Sequence, residues 1–286
     1  IRYKGVAGNV QFELTGSYTS SSELFPISFP KTLQVPCISN YRVTIRPQAA
    51  AVNLQIAGSN FTQLFLLDSA SYVVFDGRPG GTGTISQLSV INNSFGSVFR
   101  LNNASGNKFE YLKIGGSNTG PSVPEGLVHL VGSQGAGSDN NRFGNCEIYS
   151  TSAIPNSKNI MLSSVGAAGF VNDNDSIINC RFYDFAASGI QLSDYSNGWV
   201  ISGNSFYNTA TVNYVSDVAF IKISSLNAIA ASHQVTNNYF GGTAANCLGN
   251  AMSAGYFSTF SFIDIAGKAV VSNNYFRRVR LYNGSN

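Results

Sequence analysis

Charge is scarce in this chain. Of 286 residues only 11% are charged, with 17 Lys+Arg against 14 Asp+Glu and a net charge of +3. A nucleic-acid surface needs a clustered basic stripe, which this excess is too small and too dispersed to build. The one local cluster, Arg277, Arg278 and Arg280, reads as polar decoration at the end of a structure. No run of 18 apolar residues exists, so no membrane-spanning helix is expected. No amphipathic pattern longer than two helical turns is present, and long stretches alternate apolar with Ser, Thr or Asn, the strand period. No Met and no signal peptide open the chain at Ile1, which suggests a processed chain or part of a longer protein. Four cysteines are present, none in a CxxC or Cys/His spacing that would suggest zinc.

What is present is a recurring six-residue phrase: apolar, two variable residues, often Asn, one variable, then Phe or Ile. It reads VINNSF (90–95), FEYLKI (109–114), FGNCEI (143–148), IINCRF (177–182), ISGNSF (201–206), VTNNYF (235–240) and VSNNYF (271–276). The phrase ends at 95, 114, 148, 182, 206, 240 and 276, giving intervals of 19, 34, 34, 24, 34 and 36. A short β-like phrase repeating at this length marks a solenoid. A second short strand precedes most phrases, with apolar pairs two apart: Phe99/Leu101, Val128/Leu130, Ile160/Leu162, Ile190/Leu192, Ile221/Ile223 and Ile263/Ile265. Residues i and i+2 share a strand face, so each pair points inward.

Stacking would align these positions into columns. One is aliphatic and aromatic, running from Phe95 through Ile114, Ile148, Phe182, Phe206 and Phe240 to Phe276. Two residues earlier lies a structural ladder of Asn93, Cys146, Cys180, Asn204, Asn238 and Asn274, with Leu112 between. Asn suits such a column because it tolerates left-handed backbone at a bend and its amide can bond the next Asn. Cys146 and Cys180 would lie on adjacent coils, within disulfide reach, but with parallel side chains that favour reduced thiols. Cys37 and Cys247 complete the set. We expect an all-β, single-domain parallel solenoid of about nine coils, roughly 43 Å long at one strand spacing per coil. Residues 1–30 read as an N-terminal cap and 31–286 as the continuous repeat domain.

The phrase at these intervals resembles the right-handed parallel β-helix repeat of pectate-lyase-like proteins. A more specific likeness is carried by VQFELTGSYTSSSELFPISFP (10–30), VTIRPQ (43–48), SYVVFDGRPGGTGT (71–84) and NKFEYLKIGG (107–116). These segments resemble β-helix domains in large secreted Bacteroidetes proteins exported by the type IX system. The resemblance implies a secreted or cell-surface location, other domains in a larger protein, and a role in adhesion or glycan contact. It also implies O-glycosylation candidates at Ser69 and Ser176, in Asp68-Ser69-Ala70 and Asp175-Ser176-Ile177.

Catalysis in pectate-lyase-like enzymes uses either a calcium cluster with a basic residue or paired carboxylates across the scissile bond. The polygalacturonase pattern is missing here apart from NDND at 172–175. Asp173 and Asp175 are weak calcium candidates, since two hard oxygen donors without a third are too few. His129 and His233 read as surface or turn residues, and Arg181 as the partner of Glu147 across coils. No catalytic residue is assigned and no cofactor is expected beyond that weak calcium possibility. Exposed aromatic rings can stack on sugars, which makes Tyr183, Tyr195, Trp199, Tyr207 and Tyr214 the carbohydrate-binding candidates. Recognition would sit in the long loops at 115–125, 149–158, 207–217 and 241–259. The chain thus reads as a non-catalytic structural or adhesive β-helix module with glycan as its candidate contact. The alternatives are a polysaccharide lyase or glycoside hydrolase of the pectate-lyase-like class, or a trimeric phage-like fibre.

Overall fold

The computed structural model describes residues 6, 8–31, 41–117, 126–133, 137–151, 159–165, 170–214, 217–224, 232–256 and 259–283. Cys37 and parts of the long loops lie outside these residues. The chain is a single-domain right-handed parallel β-helix. Among the described residues, three long sheets run the length of the stack, and every strand pair in them is parallel and in register. The first sheet has nine strands, from Val10–Leu14 to Ala269–Ser272. The second has eight, from Leu54–Gly58 to Tyr275–Phe276, and the third has eight, from Ile27–Pro30 to Phe260–Ala266. Nine strands in the first sheet correspond to nine coils.

Inward side chains stack in columns. In the first sheet Phe75, Phe109 and Phe143 lie face to face, with centroids 5.6 and 4.5 Å apart. In the second, Phe182, Phe206, Phe240 and Phe276 continue at 5.0, 5.1 and 5.0 Å. Burying each such ring contributes roughly 1.5–3 kcal/mol, which drives the coils to stack.

Two columns differ from the sequence expectation. Val90, not Phe95, pairs with Ile114 in the second sheet, and Phe95 is 48% exposed. VINNSF fits the phrase by letter only. Its strand, Leu88–Asn92, keeps the alternation of Leu88 and Val90, so Phe95 falls in the following turn. Asn93 leaves the ladder with it. In the third sheet Met161 and Ser163, rather than Ile160 and Leu162, pair with Val128 and Leu130. Ser163 can face inward because Asn172 Nδ2 donates to its hydroxyl at 2.9 Å and Ser196 Oγ lies 2.9 Å away.

The ladder divides two tasks that one Asn was expected to perform. Left-handed backbone falls one residue earlier, at Tyr111, Asn145, Asn179, Gly203, Asn237 and Asn273. The following residue turns inward. Asn238 Oδ1 accepts from the backbone N–H and the Nδ2 of Asn204, both at 3.0 Å, while Asn238 Nδ2 donates to Ile201 O at 3.0 Å. Asn274 repeats this toward Asn238, and Asn204 Oδ1 accepts from Cys180 N at 2.8 Å. Cys180 Sγ takes the same role toward Cys146 N at 3.4 Å. Both thiols are free and buried, and Cys146 is pushed up by burial and by neighbouring Cys180.

A second ladder runs before the first-sheet strands: Asn107, Asn141, Asp175, Trp199 and His233. Asn141 Oδ1 accepts from Asn107 N, Asp175 Oδ1 accepts from Asn141 N at 2.6 Å, and His233 Nδ1 accepts from Trp199 N at 3.3 Å. His233 is therefore fully buried, not a surface residue. The connections build side sheets. Asn172–Asp173 pairs with Ser196–Asn197, and Val212–Tyr214, Met252–Tyr256 and Val279–Asn283 form a three-stranded sheet. In the segment read as a cap, Val10–Leu14 and Ile27–Pro30 already run in the first and third sheets.

Candidate functional site

The outward face of the second sheet gathers aromatic and charged groups. Lys113, Glu147 and Arg181 occupy one register column, and Gly115, Tyr149 and Tyr183 the next, which Tyr207 continues. Period-two alternation puts both columns outside because Ile114, Ile148, Phe182 and Phe206 fill the core between them. The three tyrosine rings are stacked at 4.9 and 5.0 Å, with interplanar angles of 3° and 14°. Each such pair contributes about 0.5–1.5 kcal/mol, so the column is a rigid ridge. Its ring faces are spent on one another, and Tyr207 is itself buried at the end of the column, so the edges and hydroxyls displayed are those of half-buried Tyr149 and Tyr183.

Glu147 anchors the ridge. Its Oε1 lies 3.2 Å from Arg181 Nη1, and its Oε2 accepts from Tyr183 Oη at 3.4 Å. Burial and the Glu147 charge push all three phenols up, Tyr207 to about 12. At neutral pH they are donors, not bases. Arg181, half exposed, also lines an open groove of about 530 Å³ with Ser205, Tyr239, Asn246 and the corner residues Asn179 and Asn237. At the neighbouring corner, Arg142 Nε donates to Glu110 Oε1 at 2.6 Å. That pair belongs to the first sheet; the second-sheet face itself carries Lys113 and Arg181 against Glu147.

The aromatic candidates separate. Tyr183 and Tyr207 stand in the ridge, joined by Tyr149, which sequence reasoning missed. Trp199 is fully buried and donates through Nε1 to Asn172 O at 2.9 Å. Tyr214 is also buried, bonded to Asn208 Nδ2 at 2.6 Å. Tyr195 sits at a left-handed turn, φ 61°, away from the ridge. Period two, applied one residue beyond the terminal Ile148, Phe182 and Phe206, would have found all three ridge tyrosines.

Asp173 and Asp175, the weak calcium candidates, sit in different surroundings. Asp175 is a ladder rung, fully buried, with Oδ1 taken by Asn141 N, and burial pushes its carboxyl well up. Asp173 faces Asp139, whose Oδ1 accepts from Asp173 N at 2.8 Å; burial and then the Asp139 charge raise Asp173 to about 6. Among the described residues no group of three or more His, Cys, Asp or Glu converges to hold a metal. His129 points outward as expected but is buried, with Nε2 2.7 Å from Ser164 Oγ. Burial and Arg100 lower it to about 3, so it is neutral. Ser69 lies at a left-handed turn, φ 55°. Ser176 is half-buried in a strand between buried Asp175 and Ile177.

No protein-family model matches the chain, and no curated protein matches it in sequence. Solved structures do. An alginate lyase from Paenibacillus sp. str. FPU-7 superposes with a TM-score of 0.53 at 15% identity, over 86% of this chain and 84% of that one. PfbA, a surface adhesin of Streptococcus pneumoniae, aligns over 85% of this chain and 75% of its own at TM-score 0.40 and 12% identity. At such identity the lyase likeness establishes the fold class alone. No helix of the described residues is long and apolar enough to cross a membrane.

Proposed function

We propose that this chain is a non-catalytic, secreted or cell-surface module that holds an acidic polysaccharide along the outward face of its second sheet. The observation that carries this reading is the Tyr149–Tyr183–Tyr207 ridge beside the Lys113–Glu147–Arg181 column. Hydroxyl edges at a strand-spacing repeat suit the hydroxyls of an extended polymer, and the excess of Lys and Arg suits its carboxylates or sulfates. Raised phenols favour binding over catalysis, because a lyase base must be able to lose its proton near the working pH. The sequence likeness to exported Bacteroidetes domains supports the surface location, and adhesion would follow from retention of a host or community glycan.

The test is a glycan array, followed by incubation of the protein with alginate, pectate and sulfated glycans while unsaturated product is monitored by absorbance. Retention of one acidic class without product supports the reading. Product formation would make the chain a lyase, and an array without any acidic ligand would remove the proposal.

A further inference from the structure

A second site lies elsewhere, at the corner between the second and third sheets near the N-terminal end. Two phenylalanines stand in solvent on successive turns: Phe61 is 74% and Phe95 48% exposed, with ring centroids 6.0 Å apart. Exposed Phe at a turn carries a hydration cost that the core does not require. These turns are also rigid. Asn60 Oδ1 accepts from Thr62 N at 2.9 Å, Thr62 Oγ1 at 2.8 Å and Gln63 N at 3.2 Å. Asn92 Nδ2 donates to the carbonyls of Asn60, Gly96 and Ser97 at 2.9, 3.0 and 3.1 Å, tying one turn to the other. A Cβ at Gly96 would lie 2.5 Å from Thr62 O, so the turns are in direct contact.

Beside Phe61 an open groove of about 320 Å³ runs onto the outward face of the third sheet, lined by Thr62, Gln63, Asp68, Arg100 and Asn102. Asn102 Nδ2 donates to Asp68 Oδ1 at 3.0 Å, which orients both side chains. One carboxylate and one guanidinium leave the groove without net charge. A fixed aromatic pair next to planar amide, carboxylate and guanidinium groups is the chemistry that takes the apolar face of a pyranose ring and hydrogen-bonds its equatorial hydroxyls.

We propose that the Phe61–Phe95 pair and the Asp68–Arg100–Asn102 groove form a binding site for an uncharged pyranose polymer. This site is independent of the tyrosine ridge and of the acidic ligand assigned there. A protein partner fits less well, since two rings rimmed by polar groups offer little of the continuous apolar area that a stable interface buries.

The experiment is affinity gel electrophoresis of the whole chain in mixed-linkage glucan, xyloglucan and galactomannan, with sedimentation velocity in parallel. At least one of these neutral polymers should retard the wild type. Phe61→Ala and Phe95→Ala should each weaken retardation about tenfold, a loss typical of a central aromatic contact. Phe61→Tyr, which keeps the ring, should retain it. Both Phe side chains are exposed, so the thermal midpoint should hold. Absence of retardation in all three polymers, or equal retardation of the Ala variants, would overturn the proposal. Self-association abolished by Phe61→Ala would overturn it in favour of an interface between copies.

Discussion

Asn237 and Asn238 show how two adjacent residues of one type do different work. Asn237 supplies left-handed backbone at the corner, φ 58°, and Asn238 turns inward to bridge two coils. The Asn-rich phrase was legible in sequence; its division of labour was not, because a single letter does not say which way a side chain points. Asn238→Ala should leave Asn204 N without its acceptor in the core and cost about 1–3 kcal/mol, read as a lower urea midpoint with unchanged slope. Asp173 gives a pH signature. Its folded carboxyl, about 6 against an ordinary 3.8, binds a proton more tightly than the unfolded one. The stability this contributes is complete below about pH 4 and is lost as pH rises through about 6. Asp139 and Asp175 are shifted in the same direction by burial. Asp173→Asn should therefore raise the thermal midpoint at pH 7 relative to wild type and flatten its pH dependence between about 4 and 6.

Strand register was legible wherever alternation was unbroken and was lost where an insertion intervened. From Phe109 onward each phrase keeps its first apolar residue in the first sheet and its last in the second, separated by one bend. Upstream, residues 77–87 are inserted at that bend, and the phrase was matched to a turn instead. The two Phe positions at issue test this directly. Phe143→Ala removes a fully buried ring and should cost about 3–5 kcal/mol, whereas Phe95→Ala should change stability by less than about 0.5 kcal/mol in the same denaturation series. The second ladder was also present in the letters, two residues before Phe109, Phe143, Ile177, Ile201 and Val235, but varied types hid it. Only the folded register brings Asn, Asp, Trp and His into one column. Within the first ladder, Cys146 and Cys180 should resist alkylation by iodoacetamide in the folded protein and react fully in urea, as mass shifts would show.

For the whole molecule, regular stacking assigns most polar chemistry to the scaffold. Carboxylates pair across coils, as in Glu13–Arg46, Glu110–Arg142 and Glu147–Arg181, and buried Asp175 and His233 serve as rungs. Exposed pairs of this kind contribute little to stability, so their charges remain available to a ligand. The tyrosine ridge and the phenylalanine corner are where side chains exceed what stacking requires. The ridge itself arises from the repeat, and parts of the loops marked in sequence as recognition elements lie outside the described residues. The most direct measurement is retention on an immobilised acidic polysaccharide identified by the array, comparing wild type with Tyr183→Ala and Arg181→Gln, each verified as folded by thermal melting. The expected result is a loss of about tenfold or more in affinity for each variant at matched salt. Unchanged retention in both variants would contradict the assignment of function to this face.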